Sequence, residues 1–114
     1  MAKVIWTKSA LADLGRIYDY LARSSQSFIL AERICNELMS AALGRLATLP
    51  DSESPVPEGI QYGAREIYQR SYRIIYVHQG EACFVVRCIH SSRDIAAHLD
   101  PENWIADILK HDLD

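Results

Sequence analysis

The first part of the chain places apolar residues with the period of an α-helix. After a short β-prone run, KVIW (3–6), the apolar residues fall on one stripe, and charged residues lie mostly on the other side. Thr7 precedes the stripe, where its side chain can accept from the first free amides of a helix. The pattern therefore predicts a strand and then a capped helix. The stripe consists of Leu11, Leu14, Ile17, Tyr18 and Leu21.

A second, longer helix is predicted from about Phe28 to Leu49, after the turn-favouring segment RSSQS (23–27). Pro50 ends it, because the residue before a proline is pushed away from helical backbone angles. Since a short polar link joins the two helices, we expect an antiparallel helical hairpin. The apolar stripe of this helix consists of Leu30, Ala31, Ile34, Leu38, Ala41, Ala42, Leu46 and Leu49.

Strand patterns replace the helical pattern in the second half. The segment PDSESPVPEG (50–59) reads as a loop, and three β-prone runs follow at roughly 63–68, 72–78 and 82–90. If Gln79 and Gly80 form a two-residue turn, the last two runs make a hairpin with two faces. One face would hold Tyr72, Ile74, Tyr76, Val85, Arg87 and Ile89. The other would hold Arg73, Ile75, Val77, Phe84, Val86, Cys88 and His90. Because the second face is more apolar, we assign it to the helices.

The end of the chain predicts one more helix. Asp100 can cap it and Pro101 suits its first position, and four apolar residues follow on one side. The order β-α-α-β-β-β with a C-terminal helix predicts an α+β fold, a helical hairpin packed on a small antiparallel sheet. We expect one domain over residues 1–99, with residues 100–114 as its helical extension. The apolar residues of the last helix are Trp104, Ile105, Ile108 and Leu109.

Composition excludes several classes of protein. The chain has 114 residues, of which 49% are hydrophobic and 24% charged, as in ordinary folded proteins. No run of about 18 apolar residues exists that would span a membrane. The start, MAKVIWTKSA, lacks the apolar core of a signal peptide, which predicts a cytoplasmic protein. The three cysteines lack a zinc-binding spacing and are expected to be buried thiols, so we predict no metal and no cofactor.

The formal net charge of −3 is unevenly distributed along the chain. Residues 65–93 contain five arginines against two glutamates, whereas residues 94–114 contain six acidic residues against one lysine. A protein that mainly grips a phosphate backbone is usually basic overall. The charge therefore disfavours a dedicated nucleic-acid-binding protein.

The segment HSSRD (90–94) contains residue types that hydrolases use. However, neighbours on an extended strand face opposite ways, and no G-x-S-x-G elbow is present to expose a nucleophile. His90 alone could serve as a general base, but a histidine at the end of an apolar face more often has a structural role. We therefore interpret the segment as the polar end of a strand.

Arg73 lies in the middle of a strand of Tyr, Ile and Val residues, where its charge needs water or an acid. Glu66 on the preceding strand could pair with it. Alternatively, Arg73 and Arg93 could present a basic patch to a macromolecule. The sequence leaves both interpretations open.

Two motifs, in this order, resemble those of the ParE/RelE toxin superfamily, the toxin halves of bacterial toxin–antitoxin pairs. They are W-T-x-x-A-x-x-D-L at residues 6–14 and Y-R-I-I-Y…H-x-x-R, which begins at Tyr72 and ends at Arg93. The resemblance covers about residues 3–99 and implies a toxin that inhibits growth and contributes to plasmid stabilisation. The RelE branch of the superfamily cuts mRNA in the ribosome, whereas the ParE branch poisons DNA gyrase.

The residues favour the ParE branch. Arg73 matches the mRNA-cutting branch, but Ala64, Arg65 and Glu66 stand where that branch places lysines, and no tyrosine follows Tyr76. RNA cleavage needs a base, an acid and cationic charge around the phosphate, and this set is thin here. We therefore expect a DNA gyrase inhibitor. A ribosome-dependent mRNA endonuclease is the alternative, and an inactive binding module is a third possibility.

The resemblance also implies a cognate antitoxin of ParD type, a ribbon-helix-helix protein with an extended C-terminal tail, in a toxin–antitoxin hetero-oligomer. Such a tail would lay a helix and a strand across the toxin. We predict no catalytic residue. The residues expected to contact the target are Arg65, Arg73, His90 and Arg93. The residues expected to contact the antitoxin are Leu14, Tyr18, Leu21, Trp104 and Ile108.

Overall fold

A computed structural model describes residues 2–92 and 101–113 of the chain, and it contains the predicted helical hairpin, sheet and last helix. The predicted α+β fold class is confirmed. Among the described residues, no helix combines the length and the apolar composition needed to cross a bilayer. The elements are β1 (Lys3–Trp6), α1 (Lys8–Ser25), α2 (Phe28–Leu46), β2 (Ser54–Pro55), a 3₁₀ segment (Pro57–Tyr62), β3 (Arg65–Gln69), β4 (Tyr72–Gln79), β5 (Ala82–His90) and α3 (Pro101–Leu113).

Side-chain caps define the two helices of the hairpin. The hydroxyl oxygen of Thr7 accepts from the backbone N–H of Ala10 at 3.3 Å and starts α1 as predicted. Gln26 adopts left-handed angles and ends α1 (φ 56°), and Ser27 then caps α2 by accepting from Leu30 N–H at 3.1 Å. Helix α2 ends at Leu46, three residues earlier than expected. The predicted turn segment therefore ends one helix and caps the next.

The sheet has five strands in the order β1-β5-β4-β3-β2. Strand β1 runs parallel to β5, whereas the other three neighbouring pairs are antiparallel. Strands β3, β4 and β5 form the predicted antiparallel meander, and the parallel pairing of β1 makes the sheet as a whole mixed. The short strand β2 lies inside the predicted loop, and the 3₁₀ segment begins in that loop and continues past its end. The proline- and glycine-rich composition predicted a turn, but composition does not show which backbone groups form hydrogen bonds.

The register of the β4–β5 hairpin differs from the prediction. The turn consists of Gly80, in the left-handed region (φ 59°), and Glu81, so that Tyr76 pairs with Val85. The register then shifts, and the next pair is Ile75 with Arg87, which leaves Val86 as an extra residue in β5. This bulge reverses the alternation beyond it. Residues 88 and 90 therefore face the same side as Val85, and the prediction that they share the face of Arg73 is wrong.

Both faces of the sheet are covered. The helical hairpin packs on the face that carries Tyr72, Ile74 and Tyr76, opposite to the predicted one. Helix α3 and the 3₁₀ segment enclose the other face, where Ile75 and Val77 lie. Every residue from 72 to 77 is buried, and apart from Arg73 the strand reads as an apolar run, so alternation could not indicate which face takes the helices.

Helix α3 is held against the sheet mainly by apolar contacts. Trp104 and Ile108 are buried in the second core with sheet residues such as Phe84. Ser9 at the start of α1 donates a hydrogen bond from its hydroxyl to the carboxylate of Asp107 at 2.6 Å. The buried indole N–H of Trp104 has no acceptor within the described residues, and such a group typically costs about 1–3 kcal/mol. The apolar packing of Trp104 and Ile108 in the second core therefore outweighs the cost of burying the indole N–H.

Candidate functional site

Arg73 lies in a buried ion-pair cluster on the sheet face of Ile75 and Val77. Its side chain is only 6% exposed. Its Nε donates to Glu66 Oε2 at 2.7 Å, its Nη2 donates to the same oxygen, and both terminal nitrogens lie 3.4 Å from the carboxylate of Glu58. The pairing of Arg73 with Glu66 that the sequence suggested is confirmed.

The ionisation of this cluster follows from its contacts. Burial by itself would lower the pKa of Arg73, but the hydrogen bonds and charges of Glu66 and Glu58 outweigh burial and raise that pKa. Burial acts to raise the pKa of Glu58, but the hydrogen bond from Arg73 is among the effects that lower it overall. The guanidinium is charged and engaged within the fold. The expectation that Arg73 presents its charge in an exposed basic patch is therefore wrong.

The other two arginines of the predicted target surface differ in position. Arg65 is half-buried in β3, and its Nη1 donates to the backbone carbonyl of Glu53 at 2.7 Å, which ties the strand to the preceding loop. Arg93 lies outside the described residues. A contact of Arg65 or Arg93 with a target remains a prediction.

His90 packs against Tyr72 and turns back on Ser92. The rings of His90 and Tyr72 meet edge to face, 5.3 Å apart and at 87°. The backbone N–H of Ser92 donates to His90 Nδ1 at 3.1 Å, and the Ser92 hydroxyl lies 2.6 Å from the same nitrogen. Because a backbone amide can only donate, Nδ1 is an acceptor, and the neutral ring carries its proton on Nε2.

The geometry of His90 matches a strand-ending turn. Within the described ranges no carboxylate bonds to its ring. Asp94, which the sequence places nearby, lies outside the described residues. Arg73 projects from the opposite face of the sheet, because it follows Tyr72 directly along β4. His90 and Arg73 therefore do not converge on one phosphate.

A second charged cluster joins α1 to β5. The buried carboxylate of Asp13 accepts from Arg87 Nε at 2.7 Å and from Arg87 Nη2 at 3.0 Å. It also accepts from Arg16 Nη2 at 2.7 Å and from the backbone N–H of Cys88 at 3.0 Å. Asp13 thus bonds two guanidinium groups and one amide, and it is fully hydrogen-bonded.

A groove of about 530 Å³ opens beside this cluster, between α1 and the ends of β4 and β5. Its rim contains Arg16 and Tyr20, which are both well exposed, and its wall contains His90. Sequence reasoning missed the groove, because helical periodicity placed Asp13 and Arg16 on the wet side of α1 without indicating a partner. The lining residues are Asp13, Arg16, Ile17, Tyr20, Tyr72, Arg87, Cys88, Ile89, His90 and Ser92.

The residues predicted to contact the antitoxin are mostly buried. Leu14 belongs to the core under the helical hairpin, and Trp104 and Ile108 belong to the core under α3. The expectation that these three lie on an exposed rim is wrong. Tyr18 and Leu21 are half-buried at the edge of the hairpin, and Tyr18 stacks on Phe28 with ring centroids 6.4 Å apart. An antitoxin contact remains a prediction for these two.

The helical hairpin exposes a different set of apolar side chains, which we call the hairpin strip. Phe28 is 72% exposed and Leu43 is 58% exposed, and Met39 lies between them on α2. These three residues are eleven and four positions apart and share one side of the helix. The signal was present in the sequence, since all three fall outside the apolar stripe assigned to α2. The hairpin strip consists of Leu11, Phe28, Met39 and Leu43.

Comparisons with known proteins identify related sequences and folds. Residues 4–95 match the model of the family described as ParE toxin of type II toxin–antitoxin system, parDE. Among solved structures, a chain from the chromosomal ParDE toxin–antitoxin system of P. aeruginosa has a similar fold, with a TM-score of 0.64 and 20% sequence identity. The alignment covers 79% of this chain and 96% of that chain. No curated protein sequence matches this chain.

Proposed function

Because this chain belongs to the ParE toxin family of type II toxin–antitoxin systems, we propose that it inhibits DNA gyrase and that a ParD-like antitoxin neutralises it. The family match over residues 4–95 carries the proposal. Gyrase acts on chromosomal and plasmid DNA, so the proposed target places the protein in the cytoplasm.

The separation of the candidate nuclease groups supports a binding role. An mRNA endonuclease needs a proton acceptor and cationic charge on the same phosphate. Here Arg73 is bonded to Glu66 and Glu58 on one face of the sheet, while His90 lies on the other face. A ribosome-dependent cleavage by these two residues would require the sheet to open.

The hairpin strip is the proposed antitoxin-binding surface. Its exposed apolar side chains on α2 lie on one side of that helix, one in the first turn and two in the last turns, and exposed apolar side chains grouped in this way commonly mark protein interfaces. An amphipathic helix of an antitoxin can lay its apolar face on residues at this spacing. Tyr18 stacks on Phe28 at one end of the strip, and Leu21 follows Tyr18 by three residues on α1, so the proposal keeps these two of the residues expected from the sequence.

A supercoiling assay tests the proposed target. Purified toxin is added to gyrase with relaxed plasmid and ATP, and we expect supercoiling to fall as toxin increases. Protein digestion in detergent should then release linear plasmid, which reports a trapped cleavage complex. Toxin saturated beforehand with its antitoxin is the control and should leave supercoiling intact. Normal supercoiling without linear DNA, at toxin in excess over gyrase, would show that gyrase is not the target.

Mapping of mRNA ends tests the endonuclease alternative in the same strain. After induction of the toxin, we expect no new 5′ ends inside translated codons. If such ends appear, and if they vanish in a folded His90→Ala variant, the chain is a ribosome-dependent nuclease. Growth arrest with neither new mRNA ends nor gyrase inhibition would point to a third target.

A further inference from the structure

Two exposed side chains stand one helical turn apart at the rim of the groove. Arg16 and Tyr20 have i,i+4 spacing on α1, which brings them together on one side of the helix. The side chain of Arg16 is 66% exposed and bonds only to Asp13, through Nη2, within the described part of the chain. Tyr20 is 67% exposed. A cation and an aromatic ring are therefore available to the same ligand.

The charged groups around the groove suit a tetrahedral oxyanion. Among the described lining residues, Arg16 and Arg87 are the cations and Asp13 is the carboxylate. Arg87 gives Nε and Nη2 to Asp13, whereas Arg16 gives Asp13 only Nη2 and keeps donors for an anion. Arg16 and the Nε2–H of His90 are donors on different elements, and they can approach an anion from separate directions.

The size and the aromatic rim indicate what else the ligand carries. A groove of about 530 Å³ falls within the range of small-ligand sites. A base stacked on an aromatic side chain typically contributes about 1–3 kcal/mol, and Tyr20 offers an open ring face. We propose that this groove binds one nucleotide unit, with its phosphate at Arg16 and His90 and its base on Tyr20. This site goes beyond gyrase inhibition and needs no gyrase to be observed.

The nucleotide unit could be a free mononucleotide or part of a nucleic-acid strand. A second depression adjoins the groove, shares Arg16 and Tyr20 with it, and is lined further by Asp19, Arg23 and Ser24. A strand seated in the groove would reach Arg23 with its next phosphate, whereas a mononucleotide would not. Arg23→Ala therefore distinguishes the two sources.

Fluorescence anisotropy of the full chain tests the site. The probe is a fluorescein-labelled thymidine tetranucleotide with a 5′-phosphate, and the competitors are thymidine monophosphate and thymidine. We expect the monophosphate to displace the probe and thymidine to be at least about tenfold weaker, since it lacks the anion. Arg16→Ala and Tyr20→Ala should each weaken binding about tenfold, whereas Tyr20→Phe, which keeps the ring, should change it by less than about threefold.

Matched variants complete the experiment. Arg33→Ala removes an exposed arginine on the outer face of α2 and should leave binding within about twofold. If a strand is the ligand, Arg23→Ala weakens the tetranucleotide but not the monophosphate; if it weakens neither, the ligand is a free nucleotide. Arg16 and Tyr20 are exposed, and Asp13 keeps its bonds to Arg87 and Cys88 when Arg16 is removed, so both variants should fold with at most a small fall in the thermal midpoint, which is measured alongside.

Three results would overturn the site. The first is no saturable binding of probe or monophosphate at millimolar concentration. The second is unchanged affinity in both Arg16→Ala and Tyr20→Ala. The third is displacement of the probe by a glutamate-rich peptide as readily as by the monophosphate, which would assign the groove to an acidic protein segment. The binding assay contains no gyrase, so a failure to inhibit supercoiling would not contradict the nucleotide site. Likewise, a failure to bind nucleotide would not contradict gyrase inhibition.

Discussion

Tyr72 and His90 pair directly across β4 and β5, with their rings edge to face and 5.3 Å apart. Arg73, one residue further along β4, projects from the other face and bonds to Glu66. The bulge at Val86 produces this arrangement, because an unbroken β5 would have placed residue 90 on the face of Arg73. The sheet therefore separates the two groups that a nuclease would have to bring together.

Removing the charge of Arg73 is expected to destabilise the fold. Arg73→Ala leaves Glu66 buried without its partner, and breaking a buried ion pair typically costs about 3–5 kcal/mol. Any loss of toxicity in this variant should therefore accompany unfolding. Urea denaturation at neutral pH measures the free energy of unfolding.

Two control variants separate the charge effect from other causes. Arg70→Ala breaks the exposed pair with Glu37 and should cost less than about 1 kcal/mol. The double variant Arg73→Met with Glu66→Leu should recover most of the stability, because the only described partner of Arg73 left charged is Glu58, which is partly exposed. A fully stable Arg73→Ala protein that has lost its toxicity would instead identify Arg73 as a contact residue.

Gly59→Ala should loosen the docking of α3. A Cβ at residue 59 would lie 2.3 Å from Cζ3 of Trp104, closer than atoms can pack, so the indole or the backbone has to move. Overpacking of this kind costs about 1–3 kcal/mol. Tryptophan fluorescence should shift to the red as Trp104 becomes exposed. Gly44→Ala, where nothing lies within 4 Å, should instead stabilise α2 by about 0.5–1 kcal/mol.

Leu43→Glu should weaken antitoxin binding without unfolding the toxin. Leu43 is 58% exposed, so its free energy of unfolding should change by less than about 0.5 kcal/mol. A charge at the Leu43 end of the hairpin strip should raise the Kd for antitoxin about tenfold or more. Leu109→Glu, at a leucine of equal exposure on α3, is the matched control and should bind normally. Equal affinity of the two variants would place the antitoxin elsewhere.

The buried thiols are expected to make stability fall in alkaline solution. Burial raises the pKa of Cys88 to about 12, with smaller effects from Asp13 and Cys35, and burial raises the pKa of Cys83 to about 11. Both folded-state values exceed the value near 9 of the unfolded chain, so this stability is fully present below pH 9. As the pH rises above 9, the unfolded state loses protons first, and each thiol lowers the free energy of unfolding by about 1.4 kcal/mol per pH unit.

Urea titrations between pH 8 and pH 10.5 test the contribution of Cys88. Most of this range lies between the pKa of the thiol in the unfolded chain and its raised pKa in the folded chain. Cys88→Ala should be less stable at pH 8, because a small cavity remains, but its stability should fall less steeply above pH 9. Parallel curves for the parent chain and the variant would show that folding does not raise the pKa of this thiol.

The sequence determined the helices and strands, because the interactions that define their ends join residues that are close together in the chain. Thr7 at the start of α1 and Ser27 at the start of α2 mark helix starts through hydrogen bonds that operate within one turn. It also indicated a partner for Arg73, since Glu66 lies on the adjacent strand and a buried charge requires an acid.

Only the tertiary structure decided which surfaces meet. The strand of residues 72–77 is buried on both faces, so its apolar pattern contains no information about where the helices pack. The parallel pairing of β1 depends on β5, which lies far along the chain, and the bulge at Val86 leaves no mark in the apolar pattern of β5. Asp13 and Arg87 are 74 residues apart in the chain, and they define the edge of the groove only because the fold brings them together. Such contacts are long-range, and local periodicity is insensitive to them.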